Sequence, residues 1–443
     1  MYAPRKRARI PAFITLLVIP TLYILWAPSA NLRAGWPDVD LPFTTRHHLL
    51  CKDLPGANET LVVLKTGATE LDAKLPVHFN TTMQCYPNML IFSDSAEIIE
   101  NHTVIDALES VSPDLKDTHP DFEIYRRLRD HGRQIQLSDK LHNEDKPESW
   151  TGNAENPGWK LDKWKFLPMV SRTFYEYPLM KWYVFIEADS YIIWPTLLEH
   201  LATLDHTIPY YAGVTVYIDG IGFAHGGSGF IVSQPAMHLV ASYIDSNQEK
   251  LENFTGGHWA GDCVLGKTFT DAGVPLTDAW PIIQGDHPGM VPYIADDGRP
   301  MPPSDKRIWC NPTISYHHVP PAMVEDFWNF EQEWLSRAEE GQSVSMRHSD
   351  VFQNYIIPRI QSPRLGWDNE SGDEAGIAAD FDTCRSWCEA NKDCVQYSYD
   401  SESRCWQFHL PRLGKYAPGK QSGWLVDRIE QLAANLAPCD ARD

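Results

Sequence analysis

The chain has 443 residues, of which 43% are hydrophobic and 22% charged, and its formal net charge at pH 7 is -21. This length allows one large domain with a small one, or two domains of medium size. The acidic balance excludes a nucleic-acid partner, because there is no basic excess to displace counterions from phosphates.

The N-terminal residues predict a membrane anchor. Residues 1–9 carry three arginines and one lysine, and residues 10–28 form an apolar run without any charge. The run matches a short single span, and the positive-inside rule places residues 1–9 in the cytoplasm and the rest of the chain in the lumen. A cleaved signal peptide is the alternative, which the length of the apolar run disfavours.

Apolar segments and helical patterns alternate after a predicted stem at residues 29–58, which lacks periodicity. Buried strands are predicted at residues 60–67, 88–94, 182–189 and 210–219, with helical patterns between and after them. The alternation favours an α/β sandwich around a largely parallel sheet over residues 59–360. In such sheets ligands bind beyond the carboxyl ends of the strands, where Gly67, Asp94 and Asp189 fall.

The last part of the chain predicts a linker and a small disulfide-rich module. Residues 361–380 are polar, acidic and contain glycine, which is typical of a linker. Residues 381–443 hold a cluster of four cysteines, Cys384, Cys388, Cys394 and Cys405. In an oxidising lumen such a cluster indicates disulfides in one of three connectivities, and the competing zinc site lacks paired C-x2-C spacing. Five cysteines remain, so one thiol is free or pairs between chains: Cys51, Cys85, Cys263, Cys310 and Cys439.

Two carboxylates end the third predicted strand, in the triplet Glu187-Ala188-Asp189. Alternation along a strand directs the first and third side chains the same way. Two like charges facing one way repel each other unless a cation lies between them or one takes a proton. A divalent ion with oxygen ligands, Mg²⁺ or Mn²⁺, satisfies this need. The alternative is a strand end where both carboxylates reach water or cap the next helix.

Three further segments carry residues suited to a binding site. Residues 225–233, "HGGSGFIVS", contain glycines that let a ligand approach the backbone, although an ordinary turn would use them too. Asp262 precedes a short helix, where it is an N-cap or a general base. His317 and His318 follow an alternating segment, and we expect only one of them to face a site because neighbours on a strand point opposite ways.

These segments together resemble the family 31 glycosyltransferases, the β1,3-transferases that include core 1 galactosyltransferases and fringe enzymes. The similarity runs over residues 61–334: "EADSYI" resembles the family's acidic triplet, "GGSGF" its "GGAGY" loop, "GDCVLG" its acidic helix start and "SYHHV" its "SFHxV" segment. The strand "KTGATE", Lys65 to Glu70, resembles the strand with which chains of the family's fungal branch often open. Glu187 stands where the family has Asp, and Gly261 where many members have an acidic residue.

The resemblance implies a GT-A fold, a Rossmann-like mixed sheet, with a UDP-sugar donor and Mn²⁺ (or Mg²⁺). It implies metal ligation by Asp189 and His317, with Glu187 on the metal or ribose side, and Asp262 as the base. It implies that the sugar donor is bound by Thr66, Gly67, Lys160, Lys163, Glu187 and Asp189. It implies that the acceptor is bound near Gly226, Gly227 and Trp280. The C-terminal module resembles a PAN/Apple domain, which implies the nested pairs Cys384–Cys405 and Cys388–Cys394.

The predicted function is an inverting transferase of the N-acetylgalactosaminide β1,3-galactosyltransferase type. It would move a hexose, galactose by preference, to a glycan or glycoprotein acceptor. It would be anchored in the Golgi membrane as a single-pass type II protein, and it is compatible with a homodimer. Sequons at Asn58, Asn80, Asn101, Asn253 and Asn369 agree with the secretory route. The alternative is a catalytically degenerate GT-A/PAN protein that binds glycan or protein. A glycoside hydrolase is disfavoured because Glu187 and Asp189 lie too close together.

Overall fold

The computed structural model describes residues 51–133, 157–294, 308–337, 342–436 and residue 439. The predicted tail (1–9), the predicted anchor (10–28) and residues 29–50 of the predicted stem lie outside the described residues. Within the described ranges, no helix is long and apolar enough to cross a membrane.

Strands and helices alternate through most of the described chain. The strands are β1 (Thr60–Lys65), β2 (Met89–Ser93), β3 (Glu97–Ile99), β4 (His102–Asp106), β5 (Trp182–Glu187), β6 (Tyr191–Ile192), β7 (Tyr211–Gly213), β8 (Thr215–Ile218), β9 (Ile221–Ala224), β10 (Phe230–Ser233), β11 (Leu276–Asp278), β12 (Ser315–Tyr316), β13 (Arg364–Asp368), β14 (Asp373–Ile377), β15 (Gln396–Tyr399), β16 (Arg404–Phe408) and β17 (Lys415–Trp424). The α-helices are α1 (Leu71–Lys74), α2 (Pro76–Phe79), α3 (Pro113–Thr118), α4 (Glu123–His131), α5 (Pro157–Asp162), α6 (Phe166–Glu176), α7 (Trp194–Ala202), α8 (Gln234–Ser246), α9 (Gln248–Gly257), α10 (Gly261–Asp271), α11 (Pro321–Ser336), α12 (His348–Val351), α13 (Phe381–Ala390) and α14 (Val426–Asn435).

Eight strands form one mixed sheet in the order β11-β7-β10-β5-β1-β2-β4-β3. The strands β5, β1, β2 and β4 run parallel to one another, and so do β11 and β7. The strand β10 is antiparallel to both of its neighbours, β5 and β7. The chain passes from β7 to β10 through the β8–β9 hairpin, without a crossover helix, and connections of this kind join antiparallel strands. The predicted α/β class is confirmed, and the sheet is mixed.

Helices cover both faces of the large sheet, which explains the unbroken apolar sequence of its central strands. All six residues of β1 are buried, because alternate side chains enter two different cores. Val62 packs on the side of α7 and α11, and Val63 packs on the side of α6 and α8. A strand covered on both faces has this continuous apolar pattern, and the pattern is what predicted β1 and β5 from the sequence.

The carboxyl ends of the parallel strands meet at one edge of the sheet. Lys65, the last residue of β1, lies in register with Phe92 on one side and Glu187 on the other. Asp94 follows β2 and Asp189 follows β5, so both carboxylates emerge at this edge. Open α/β sheets bind ligands at such an edge.

The C-terminal residues form a second sheet, antiparallel throughout, in the order β13-β17-β15-β16-β14. The strands β13 and β14 lie within residues 361–380, so the linker prediction for this segment is wrong. The stretch is polar, yet Trp367 is 1% exposed and Asn369 is completely buried. Trp367 donates its indole N–H to the Leu413 carbonyl, a contact between distant segments that composition does not reveal.

Four disulfides lie in the described part of the chain. Two of them are the predicted pairs within the C-terminal module, Cys384–Cys405 and Cys388–Cys394. Cys51–Cys85 attaches the start of the described chain to the large domain, so residues 51–58 belong to the folded unit and not to the predicted stem. Cys310–Cys439 ties the end of the chain to the large domain. Cys263 is free and buried, which confirms that one cysteine remains unpaired.

The C-terminal module packs directly on the large domain. The N–H of Gly414 donates to the Gly289 carbonyl at 2.8 Å. Trp424 and Ile429 belong to the same apolar core as α7 and α11. The module is therefore continuous with the large domain.

The sequon asparagines differ in their exposure. Those with exposed side chains are Asn58, Asn80, Asn101 and Asn253. Asn369 is buried, and its amide nitrogen donates to the carbonyls of Tyr397 and Gly423 at 3.1 and 3.2 Å. A glycan on that nitrogen would break both hydrogen bonds and would not fit the interior. The prediction of glycosylation at Asn369 is therefore wrong for the folded protein.

Candidate functional site

Asp189 lies in a tight turn between β5 and β6 and is held there by backbone contacts. Its carbonyl accepts from the Val319 N–H at 2.8 Å, and the neighbouring Ala188 N–H donates to the Lys65 carbonyl at 3.1 Å. The Ser190 hydroxyl donates to the Gly227 carbonyl at 2.6 Å. The turn is thus fixed between β1, the loop that contains Gly226, Gly227 and Gly229 (the glycine loop), and the segment that carries the two histidines.

The structure brings Asp189 together with His317 and also with His318. The carboxylate oxygen Oδ1 of Asp189 lies 3.4 Å from Nε2 of His317. One ligand atom from each of the three residues lies within 4.8 Å of the other two. The spacing and the chemistry of these atoms fit a divalent ion that accepts mixed oxygen and nitrogen ligands, as Mn²⁺ does.

The expectation that only one histidine faces the site is wrong. The strand β12 ends at Tyr316, so strand alternation does not extend to the histidines. His318 takes a left-handed backbone conformation with φ of 53°, which turns its ring onto that of His317. The two rings stack with their centroids 3.8 Å apart. A single non-glycine residue with positive φ therefore adds one ligand to the cluster.

Lysine and histidine keep the buried Asp189 ionised. The amine of Lys74 lies 2.9 Å from Oδ2 of Asp189 and 2.9 Å from the Glu70 carboxylate. Burial would raise the pKa of Asp189, but Lys74 and His317 outweigh it and hold the pKa well below its usual range. Burial would lower the pKa of His317, but Asp189 reverses this effect and raises that pKa. Lys74 and His317 thus place positive charge beside Asp189.

Glu187 does not join this cluster among the described residues. It is the last residue of β5, and its carboxylate lies 3.0 Å from the amine of Lys65 on the adjacent strand. The strand ends there, so the alternation that was expected to align Glu187 with Asp189 stops too early. The prediction of Glu187 as a metal ligand is not supported by this geometry. Its proximity still matters, because its charge acts on both His317 and Asp262.

The glycine loop allows the close approach of these groups. A Cβ atom added to Gly227 would lie 2.2 Å from Cε1 and 2.3 Å from Nε2 of His317. Real Cβ atoms essentially never come that close, so a side chain at this position would displace the imidazole. The absence of a side chain at Gly227 is therefore a condition for the position of His317.

Asp262 lies in the first turn of α10, and its carboxylate is anchored to the same loop. Its Oδ2 accepts a hydrogen bond from the Gly226 N–H at 3.0 Å. Its Oδ1 accepts a hydrogen bond from the N–H of the next residue, Cys263, at 2.9 Å. Ala260 is the N-cap of α10, so Asp262 is not the capping residue. Burial, with a contribution from the Glu187 charge, raises the pKa of Asp262 to about 6. A carboxylate with such a pKa is a suitable general base near neutral pH.

Lys160 and Lys163, which were expected to lie near the donor nucleotide, have other surroundings. Lys160 is exposed on α5. The amine of Lys163 is already occupied, since it lies 2.7 Å from Asp121 and donates to the His258 carbonyl at 2.9 Å. Neither contact is to the residues around Asp189.

Two other lysines lie at the strand ends, and neither was predicted as a site residue from the sequence. Lys165 is 1% exposed, contacts Asp94 and donates to the Thr66 carbonyl at 2.9 Å. Lys65 is 5% exposed and contacts Glu187 and Asp162. Apolar burial makes an unpaired lysine costly, so buried lysines indicate carboxylate partners. The only sequence signal was the position of Lys65 at the end of a buried strand.

The remaining predicted residues follow two strands of the large sheet, Thr66 and Gly67 after β1 and Trp280 after β11. Gly67 lies over the Lys165–Asp94 contact, where an added Cβ would come within 3.5 Å of the Lys165 amine. The Thr66 hydroxyl is buried and has no hydrogen-bond partner in the described part of the chain. Trp280 follows the edge strand β11, where its half-buried ring packs against the apolar core.

Comparison with known proteins adds no assignment. A scan against protein-family models matches none of them, and a search of curated proteins finds no similar sequence. The chemistry of the residues around Asp189 and Asp262 therefore carries the functional conclusion.

Proposed function

We propose that this chain is an inverting, metal-dependent glycosyltransferase with a GT-A fold. It would transfer a hexose, galactose by preference, from a UDP-sugar to a hydroxyl of a glycan acceptor in β1,3 linkage. The observation that carries the proposal is the grouping of Asp189, His317 and His318 within 4.8 Å, joined through the glycine loop to Asp262. The resemblance of the same segments to family 31 glycosyltransferases supports the choice of reaction.

The metal-binding part of the proposal rests on the ligand atoms that Asp189, His317 and His318 offer. Asp189, His317 and His318 would hold Mn²⁺ and leave other coordination positions for diphosphate oxygens. The bound ion would supply a positive charge that stabilises the departing UDP. The imidazole nitrogen Nδ1 of His317 is buried and has no hydrogen-bond partner among the described residues, and such a group favours a ligand because an unsatisfied buried polar atom is costly.

The proton transfer would fall to Asp262. An inverting reaction needs one base on the acceptor side, and the Gly226 and Cys263 N–H groups keep this carboxylate in a single orientation. Its raised pKa, about 6, makes it a stronger base than an exposed Asp while leaving it mostly ionised at pH 7. The acceptor hydroxyl would donate its proton to Asp262 as it attacks the sugar carbon.

The donor nucleotide would lie over the carboxyl ends of β1 and β5. Thr66 and Gly67 form the turn after β1, and the buried Thr66 hydroxyl lacks a protein partner among the described residues. Lys65 and Lys165 compensate the surrounding carboxylates, which keeps this edge from being strongly negative where a diphosphate would approach.

One observation favours the second candidate, a degenerate GT-A/PAN protein that binds glycan or protein. The amine of Lys74, at 2.9 Å, already compensates the charge of Asp189. A site neutralised by its own lysine has less need of a metal. The enzyme remains the better proposal because Lys74 leaves the two imidazoles of the cluster unexplained.

Localisation and partners follow from the same proposal. The protein would lie in the Golgi as a single-pass type II membrane protein with its catalytic part in the lumen. Four disulfides and four exposed sequon asparagines support an oxidising, glycosylating compartment. The C-terminal sheet with its two internal disulfides would be a PAN/Apple-like module that contacts the acceptor.

The test is the release of UDP from a panel of UDP-sugars, measured with Mn²⁺ and again with EDTA. We expect release from UDP-galactose with Mn²⁺, and loss of release with EDTA or in Asp189→Asn. Asp130→Asn, at an exposed carboxylate on α4, is the matched control and is expected to behave as wild type. Wild-type protein that binds glycans but releases UDP from no donor would overturn the enzyme in favour of the binding protein.

A further inference from the structure

Two tryptophans form an aromatic surface beside the start of α10. The rings of Trp159, on α5, and Trp259, just before α10, stack with their centroids 5.7 Å apart and 25° between their planes. Trp259 is 44% exposed, although an indole is a large apolar group. The ring of His258 is nearly parallel to that of Trp259, with 9° between the planes. We call Trp159 and Trp259 the tryptophan pair.

The chain segments next to the tryptophan pair are held in place by polar contacts. The Lys163 amine donates to the His258 carbonyl at 2.9 Å, and the His258 imidazole lies 3.0 Å from the Ala260 N–H. Lys163 is itself fixed by Asp121 at 2.7 Å. A rigid aromatic surface binds a ligand with little loss of conformational entropy. The backbone on both sides of Trp259 is thus fixed, and its ring stacks on that of Trp159.

The tryptophan pair lies beside the start of α10, the helix that carries the proposed base. Trp259 precedes Asp262 by three residues, across the tight N-terminus of α10. A Cβ added to Gly261 would lie 2.5 Å from the Cα of Lys163, so the segment after α5 is in direct contact with the residue before Asp262. Three residues of extended chain span at most about 11 Å, so the Cα atoms of Trp259 and Asp262 lie within about 11 Å of each other.

We propose that the tryptophan pair is the subsite for the acceptor sugar, and that a neutral pyranose stacks on Trp259 and presents its hydroxyl to Asp262. A pyranose has one face made of C–H groups, which packs on an indole, and a rim of hydroxyls that needs polar partners. One unpartnered polar group belongs to the residue before Trp259, because the Nε2 of His258 is buried and has no hydrogen-bond partner in the described part of the chain. This inference rests on the proposed transferase function and adds the position and chemistry of its acceptor.

The test combines kinetics with a binding measurement that needs no turnover. In Trp259→Ala we expect the acceptor KM to rise by about tenfold, because the loss of one aromatic contact weakens binding by about that factor. Hydrolysis of the UDP-sugar without acceptor and the affinity for Mn²⁺ should stay at wild-type values. Trp259→Phe should restore most of the affinity because it keeps an aromatic face. Tyr175→Ala, at a 56% exposed aromatic residue on α6 of the large domain, is the matched control and should leave the acceptor KM unchanged.

Binding is measured by saturation-transfer NMR with methyl α-N-acetylgalactosaminide, methyl β-galactoside and methyl α-mannoside as probes. Saturation of one pyranoside that is lost in Trp259→Ala supports the subsite, even if no UDP-sugar is turned over and the transferase proposal fails. The subsite is overturned if none of the probes binds wild type, or if Trp259→Ala binds as wild type does. A change in oligomeric state in Trp259→Ala, seen by analytical ultracentrifugation, would overturn it too, by assigning the pair to a second copy of the chain.

Discussion

Replacing Gly227 by alanine tests the metal cluster through the backbone, without touching a ligand. The new Cβ would lie 2.2 Å from Cε1 and 2.3 Å from Nε2 of His317, whereas ordinary contacts begin at 3.4 Å, so the imidazole must move by about 1.2 Å. Stacking on His318 at 3.8 Å and the neighbouring His225 ring at 5.3 Å restrict its retreat. Ligand distances in metal sites are defined to about 0.2 Å, so this shift breaks the coordination.

The expected result is a weakened metal site in a folded protein. We expect the dissociation constant for Mn²⁺, measured by isothermal titration calorimetry, to rise by at least about 10–100-fold, as for other changes that misplace a ligand. Gly257→Ala is the control, because a Cβ there meets nothing within 4 Å. Circular dichroism should show the same secondary structure in both variants. Wild-type Mn²⁺ affinity in a folded Gly227→Ala would refute the assignment of His317 as a ligand.

Three further predictions concern the proposed base Asp262, the buried acid Glu331 and the glycine Gly414 of the C-terminal module. Because the pKa of Asp262 is raised to about 6, acceptor turnover should fall as pH decreases through about 6, and Asp262→Asn should lower kcat by about 10²–10⁴-fold; a flat pH profile would exclude this base. Burial raises the pKa of Glu331 from 4.5 to about 8. The folded state therefore keeps a proton that the unfolded state loses, and stability should fall with rising pH between those values by about 1.4 kcal/mol per pH unit. Glu331→Gln should remove that slope in urea unfolding, and an unchanged slope would mean that a different group causes it. Gly414 has φ of 84° and a Cβ there would lie 1.9 Å from the Asp368 carbonyl oxygen, so Gly414→Ala should lower the free energy of unfolding by about 2 kcal/mol or more. A wild-type Tm would show that the backbone around Gly414 can move away from Asp368 without loss of stability.

Much of the fold could be predicted from local patterns. The strands β1, β2 and β5 were predicted because a strand buried on both faces has an unbroken apolar sequence. The helix α7 was predicted from its periodicity and from a proline near its start. The C-terminal strands β13 and β14 were missed, because most of their residues are not buried and the strands are defined by backbone pairing with the distant strands β17 and β16 rather than by an apolar pattern.

The candidate site was predicted only in part. Asp189 and His317 were expected to meet and do so, but His318 was excluded by strand alternation that ends before it. Glu187 was included by the same alternation, which also ends too soon. Alternation is a reliable guide inside a strand, and each error lies at a strand end, where the backbone is free to turn.

Hydrophobic periodicity is a local property of the chain, which is why the amino-acid order alone was enough to locate the buried strands and several of the helices. The compensation of charges is not local: Lys65 pairs with Glu187, and Lys74 with Asp189, across more than a hundred residues of sequence. The pKa of Asp262 likewise depends on burial and on the charge of Glu187. Electrostatic energies depend on distance and on exclusion of water, and neither quantity exists until segments far apart in the chain have packed together.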